Sequence, residues 1–313
     1  MLQLKKILVP RDFSPCSEQA LQHALDLAGR TGAEVHLLFA EVLYADVQAL
    51  TAKGRDAAQE ALRERLMEGI EQEGEASGVR FETAVVRDIA PAPAIVAYAE
   101  EQDIDLILMG THGRRGLRRL LLDSTAEEVV RTAPCPVFTV RRPETPVAGL
   151  EGVNAILVPI DFSRHAQTAL RHAKELAALY HTRLDLLHVI EEQLHPAFYN
   201  TGVWSIYDLL PNIEEKAAEE LRTFYRETEG PDVDMDVHVR YGHAAHEIAV
   251  FARKNDNDLV VMATHGLRGL DHFLLGSVAE KVVRRSPAPV FTVKAFGKAL
   301  VPESVRVAAE ATE

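Results

Sequence analysis

Two stretches of this 313-residue chain join glycine, histidine and hydroxyl residues at spacings that suit an anion. One reads Met262-Ala263-Thr264-His265-Gly266 and resumes nine residues later with Gly276-Ser277-Val278, where a helix is expected to begin. Glycine lets backbone N–H groups approach a ligand closely, and a helix start adds unpaired donors and the positive end of its dipole. With the Ser277 hydroxyl, these are the parts of a phosphate cradle. They are equally the parts of a turn followed by a capped helix, and spacing alone leaves both readings open. The second stretch, Gly110-Thr111-His112-Gly113 followed by Asp123-Ser124-Thr125, has the same layout.

Set against each other, the stretches differ at the first and third of three places where one or both carry glycine. Asp123 takes the third place in the earlier one and Ala263 the first place in the later one. A carboxylate about 5 Å from a phosphate costs roughly 3 kcal/mol at an effective dielectric of about 20, on the order of a hundredfold in affinity. A methyl group at a glycine with positive φ costs about 1 to 2 kcal/mol, and at negative φ nothing. The later stretch is therefore expected to bind better. Arg114, Arg115, Arg118 and Arg119 crowd the earlier loop and suit a solvated face, or else a pairing that offsets Asp123.

These stretches belong to a larger repetition. Ile7-Leu8-Val9-Pro10-Arg11-Asp12-Phe13-Ser14 returns 149 positions later as Ile156-Leu157-Val158-Pro159-Ile160-Asp161-Phe162-Ser163, and Thr111-His112-Gly113 returns 153 positions later as Thr264-His265-Gly266. Two domains follow, over 1–142 and 153–295, with a linker marked by Pro143, Pro146, Gly149 and Gly152 and a tail over 296–313. The tail is expected to be mobile or docked on a partner from Gly297 onward.

Within each copy, short strand-like runs, the opening one apolar at every position, alternate with Ala-, Leu- and Glu-rich helical stretches. The runs are Ile7 to Val9, Val35 to Phe39, Phe81 to Val86, Asp105 to Met109 and Val137 to Val140, and in the second copy Ile156 to Val158, Leu184 to His188, Met235 to Val239, Asp258 to Met262 and Val290 to Val293. Helices are expected at Ser17 to Arg30, Asp56 to Gln72 and Thr125 to Arg131, and at Ala166 to Tyr180, Ile213 to Glu227 and Val278 to Arg285. Such alternation predicts an α/β fold with a parallel, doubly wound sheet and ligand sites at the carboxyl ends of the strands.

Composition excludes several classes. A net charge of -13 argues against a general nucleic-acid binder. No apolar run approaches the roughly 20 residues of a membrane span. The apolar strand follows Met1 to Lys6 too soon for a signal peptide, so a cytoplasmic location is expected. The two cysteines, Cys16 and Cys135, are too few for a disulfide framework. Neither copy carries the glycine-rich signature of a P-loop or of a dinucleotide-binding strand–helix turn.

Taken together, the doubled Val-Pro-x-Asp-x-Ser segment and the doubled glycine loop resemble the universal stress protein family. The resemblance covers both copies and leaves out only linker and tail. It implies two tandem Rossmann-like domains of the adenine nucleotide alpha hydrolase type, each with a five-stranded parallel sheet, arranged as a pseudo-dimer through their last strands. It implies ATP as the cofactor, with or without Mg, in a stress-response switch that hydrolyses ATP slowly if at all. By the resemblance Asp161, within Pro159-Ile160-Asp161, contacts the adenosine part, and Val189 lines the adenine slot. Met262, Ala263, His265, Gly266, Gly276, Ser277 and Val278 hold ribose and phosphates. In the first copy the corresponding residues are Asp12, Ala40, Gly110, Gly113, Asp123, Ser124 and Thr125. Either Asp also suits a cap on the following helix. A homodimer through exposed strand edges is a further expectation.

Two patterns stand outside that scheme. Histidine is uneven, with 3 of 13 in the first copy (His23, His36, His112) and 10 from His165 onward. His238, His243 and His246 raise a metal-binding alternative, although no carboxylate or cysteine completes a ligand pattern. No serine nucleophile and acid surround His112 or His265, so no hydrolase triad is argued. Phe198, Tyr199, Trp204 and Tyr207 form an aromatic group between His195 and Pro211, suited to a lid, a partner surface or packing. Domain two also has Gly242 after its third strand, where domain one has Ile89. A non-nucleotide interaction scaffold is the main alternative to ATP binding.

Overall fold

The computed structural model describes residues 2–42, 52–68, 70, 78–111, 124–141, 152–191, 212–266, 275–294 and 296–301. His112, Gly113, Asp123, the four loop arginines and the aromatic group from His195 to Pro211 lie outside them.

The first half runs β1 (Lys6–Pro10), α1 (Pro15–Thr31), β2 (Glu34–Val42), α2 (Ala52–Met67), β3 (Phe81–Asp88), α3 (Pro91–Glu101), β4 (Leu106–Gly110), α4 (Ser124–Thr132) and β5 (Val137–Val140). The second half repeats it as β6 (Ala155–Pro159), α5 (Arg164–Tyr180), β7 (Arg183–Ile190), α6 (Ile213–Glu227), β8 (Met235–Tyr241), α7 (Ala244–Lys254), β9 (Leu259–Ala263), α8 (Ser277–Arg285) and β10 (Val290–Val293).

The ten strands form one sheet in the order β3-β2-β1-β4-β5-β10-β9-β6-β7-β8. All pairings inside each half are parallel, as short apolar runs joined by helices require. The uniformly apolar Ile7-Leu8-Val9 of β1 is explained by burial on both faces. Ile7 and Val9 enter the core beneath α1, α2, α5 and α6, and Leu8 enters the core on the other face, with α3, α4, α7 and α8.

The halves meet at β5 and β10, which pair antiparallel with Phe138 opposite Phe291. Strands of the two halves therefore run in opposite directions, so their carboxyl ends open at opposite ends of the sheet. Across the same seam Thr139 Oγ1 donates to the Val290 carbonyl and Thr292 Oγ1 to the Val137 carbonyl, at 3.2 and 2.9 Å. Tyr180 on α5 donates to Asp26 on α1 at 2.9 Å beneath the Arg30 guanidinium.

Beyond β10 the chain crosses back onto the first half. The Lys298 N–H donates to the Pro134 carbonyl, and its ammonium pairs with Asp103 and Asp105 at 2.7 and 2.9 Å. Leu300 is buried; its N–H and that of Val301 donate to His172 Nε2 at 3.0 and 3.3 Å, while its carbonyl accepts from Gln3. The start of the tail is thus docked on its own chain, where Leu300 and Val301 are buried, and is not left mobile or kept for a partner.

Candidate functional site

In the second half, β6 delivers Asp161 to the carboxyl edge of the sheet. The Ile160 N–H still bonds the Leu187 carbonyl at 2.8 Å, keeping the chain in register for one residue beyond the strand. Phe162 then takes a left-handed conformation at φ 61, an unusual state for a non-glycine residue. The chain turns there, and Ser163 starts α5. Ser163 is the N-cap, accepting from the Ala166 N–H at 3.1 Å. Asp161 is left outside the helix, its Oδ1 accepting from the Ser163 N–H at 3.1 Å. Asp12, Phe13 (φ 60) and Ser14 repeat this arrangement in the first half. The alternative role of either Asp as helix cap is thereby taken by serine.

From β9, the loop Thr264-His265-Gly266 folds onto that turn. A Cβ on Gly266 would collide with Asp161 Oδ2, so glycine lets the loop approach with that carboxylate in place. Thr264 is buried and receives the Gly276 N–H on its carbonyl at 2.8 Å. A Cβ on Gly276 would lie 2.8 Å from that same oxygen. Gly276 has φ -59, so the glycine is needed for close approach and not for an unusual backbone. It also caps α8 without a side chain. Helix geometry leaves the first N–H groups, those of Ser277 and Val278 among them, without intrahelical acceptors. Ser277 is exposed and Val278 half-buried.

The residues named from sequence divide by sheet face. Met262, Val189 and Val278 share the core beneath α7 and α8, with Val189 half-buried near the end of β7. Ile160 and Ala263 pack into the opposite core, beneath α5 and α6. The Ile160 side chain is therefore taken up by the core, and the Ala263 methyl packs against protein. Gly110 shows why a glycine stands at the matching place in the first half. Its Cβ would lie 2.7 Å from Cys16 Cβ, with φ outside the left-handed region. The small residue answers to the first turn of α1, and the penalty reckoned for Ala263 from positive φ does not arise.

Two residues of this region carry no motif signal. His188 donates from Nδ1 to the Ile160 carbonyl at 2.8 Å, and its ring lies 4.7 Å from that of Phe162. His165, in the first turn of α5, faces His265 at 6.2 Å between ring centroids. His265 bonds Thr264 Oγ1 through Nδ1 at 2.9 Å and also packs near Phe296. Comparison of the repeats supplies the missing signal, since Phe39 and Cys16 occupy the matching positions.

The first half is built differently at the same place. Arg11 replaces Ile160 and is buried; it pairs with Glu18 at 2.7 Å, donates to the Leu66 carbonyl and lies over Phe13. Arg65 covers Phe13 at 4.1 Å, and Phe39 stacks on it at 5.6 Å. Ala40 is half-buried at the end of β2, and Ser124 begins α4.

Other candidates go elsewhere. Cys16 is buried, and burial pushes the Cys135 thiol up to about 12, a poor setting for thiolate chemistry. His238 bonds buried Asp185 at 3.3 Å, which also accepts from Asn257 at 2.6 Å. Burial opposes the Asp185 charge, yet the bonds from His238 and Asn257 and the nearby Arg183 hold its pKa below the usual range. His243 caps α7 from its backbone. Among the described residues no three His, Cys, Asp or Glu side chains converge as metal ligands. Gly242 does adopt φ 134 and donates to the Ile190 carbonyl, whereas Ile89 in the first half is 81% exposed.

Comparison with known proteins agrees with the doubled architecture. A model of the universal stress protein family matches residues 3–141 and again 152–294. The chain is 38% identical over 149 residues to universal stress protein MJ0531 of Methanocaldococcus jannaschii, covering 45% of this chain and 84% of that relative. It is 33% identical over 151 residues to MJ0577 of the same organism, covering 44% of this chain and 93% of that relative. The fold matches the crystal structure of a universal stress protein from Archaeoglobus fulgidus with a TM-score of 0.64 at 24% identity, over 92% of this chain and 98% of that one. Among the described residues no helix is long and apolar enough to cross a membrane. With both halves matched in sequence and the whole matched in fold, the chain belongs to the universal stress protein family and carries two of its domains in tandem.

Proposed function

We propose that the second domain binds an adenine nucleotide, ATP in the first instance, at the carboxyl ends of β6, β7 and β9. Asp161 would meet the adenosine part beside Val189, and the backbone of Gly266, Gly276, Ser277 and Val278 would receive ribose and phosphates. The carrying observation is the start of α8: a helix capped by bare Gly276, drawn against Thr264 next to the contact of Gly266 with Asp161. Such an end presents several N–H donors to one anion without any basic side chain. Mg, where it accompanies the nucleotide, would be held mainly by the phosphates, as is usual for this ion.

The second domain is the preferred site. Its cradle keeps glycine where the first domain has Asp123, and its Ile160 replaces the charged Arg11 cluster. Occupancy acts as a switch or clamp in a cytoplasmic stress response, with no catalytic residue required. Calorimetric titration of ATP, with mass spectrometry of nucleotide released from fresh protein, tests the reading. Gly276→Asp is expected to weaken binding by about a hundredfold and Asp123→Gly to strengthen or leave it. Binding that survives Gly276→Asp overturns the site, and no binding at all favours an interaction scaffold.

A further inference from the structure

The uneven histidines have a partial explanation around Asp161. His188 holds the segment on both sides of that residue. Its Nδ1–H reaches the Ile160 carbonyl just before Asp161, and its ring packs on Phe162 just after it. The acceptor is a carbonyl, so Nδ1 must carry the proton. Together with the Ile160 N–H on the Leu187 carbonyl, this fixes residue 160 to β7 through both its N–H and its C=O.

The repeat separates the two contributions. In the first domain Phe39 occupies the matching position and stacks on Phe13, which holds φ 60 as Phe162 holds φ 61. A ring without a donor therefore suffices for the turn there, where Arg11 and Arg65 also cover Phe13. Only the second domain adds the donor, and that is the domain with Gly276 where the first has Asp123.

We propose that His188 is a positioning residue of the second site, its Nδ1–H fixing the peptide that presents Asp161. The proposal rests on the nucleotide reading for its consequence but not for its geometry. His188 acts through Asp161: a carboxylate held at one orientation before the ligand arrives loses less freedom on binding.

Two variants divide the ring from the donor. His188→Phe keeps the ring and removes the donor, and His188→Asn keeps a donor near the Nδ1 position and removes the ring. In ligand-free protein, amide exchange of residues 160–163 is expected to rise about fivefold in His188→Phe and to stay within about twofold in His188→Asn. ATP affinity is expected to fall about fivefold in His188→Phe, with its thermal midpoint retained, while His188→Asn keeps the affinity and loses thermal stability. A merely structural residue gives the opposite order, with affinity following stability. Unchanged exchange in His188→Phe, or equal exchange in both variants, overturns the proposal. If the wild-type protein takes up no ATP, the nucleotide reading falls and the exchange measurement still decides the role of His188.

Discussion

Phe138 and Phe291 meet edge to face across the antiparallel pairing of β5 with β10, their ring centroids 6.2 Å apart, and each is the other's counterpart in the repeat. A residue that opposes its own copy lies on the axis relating the two halves. His23 beside Phe138 and His172 beside Phe291 continue the symmetry outward. The seam is thus a buried core built by strand pairing, and the halves share it.

Truncation at this seam should be costly. Both rings are about fully buried, so Phe291→Ala is expected to lower stability by about 3 to 5 kcal/mol. Urea unfolding followed by far-UV dichroism measures the change. A loss below about 1 kcal/mol would show that the halves do not depend on the seam.

The segment after β10 separates apolar from ionic contributions. Leu300 is 1% exposed, and Leu300→Ala is expected to cost about 2 to 4 kcal/mol. Lys298 pairs with Asp103 and Asp105 nearer the surface, and Lys298→Met is expected to change stability by less than about 1 kcal/mol. Thermal melts of the two variants should rank in that order.

Ala263 provides a test of which way its methyl points. Because it packs into the core beneath α5 and α6, Ala263→Gly should leave ATP affinity within about twofold of wild type and cost about 1 kcal/mol of stability. A tenfold gain in affinity would instead place the methyl against the phosphates. The converse change, Gly110→Ala, drives a Cβ into Cys16 and is expected to cost about 1 to 3 kcal/mol.

Acid should loosen the docked segment. Burial lowers the pKa of His172 from 6.5 to about 4, outweighing its bond to the Thr168 carbonyl, while nearby Arg171 lowers it further and Glu175 opposes. Burial likewise lowers His23 to about 4 against the pull of Asp26. Between pH 6.5 and 4 the unfolded chain binds protons at these sites and the folded chain does not, so stability falls as pH falls through this window. Each contributes on the order of 3 kcal/mol, and the loss levels off below the folded value. Once His172 is protonated, its Nε2 no longer accepts from Leu300 and Val301. Urea midpoints from pH 7 to 4 should decline, and His172→Gln should flatten the decline.

Much of the fold was legible because its signals are local. Ile7-Leu8-Val9 is apolar at every position since both sheet faces are covered, Gly276 stands against the Thr264 carbonyl, and Gly266 stands against the Asp161 carboxylate. His188 was not legible, because its function comes from Ile160 and Phe162, which are distant in sequence. Nor was the conduct of Ala263, since a strand residue's face depends on the helices packed above it. Residues 297–301 belong to the stretch expected to be mobile or docked on a partner, yet Leu300 and Val301 are buried in their own chain and Lys298 pairs with Asp103 and Asp105 of the first half.

By itself the sequence determined that there are two α/β domains, that they are homologous, and which loops bring glycine and Asp161 to a strand end. Periodicity and repetition carry that information along the chain. Only the tertiary structure decided that Ser163 and not Asp161 caps α5, that Ala263 faces the core, and that the expected pairing of the last strands is antiparallel with Phe138 on Phe291. Those outcomes depend on contacts between residues far apart in sequence, where burial and hydrogen-bond geometry choose among partners that composition leaves equivalent.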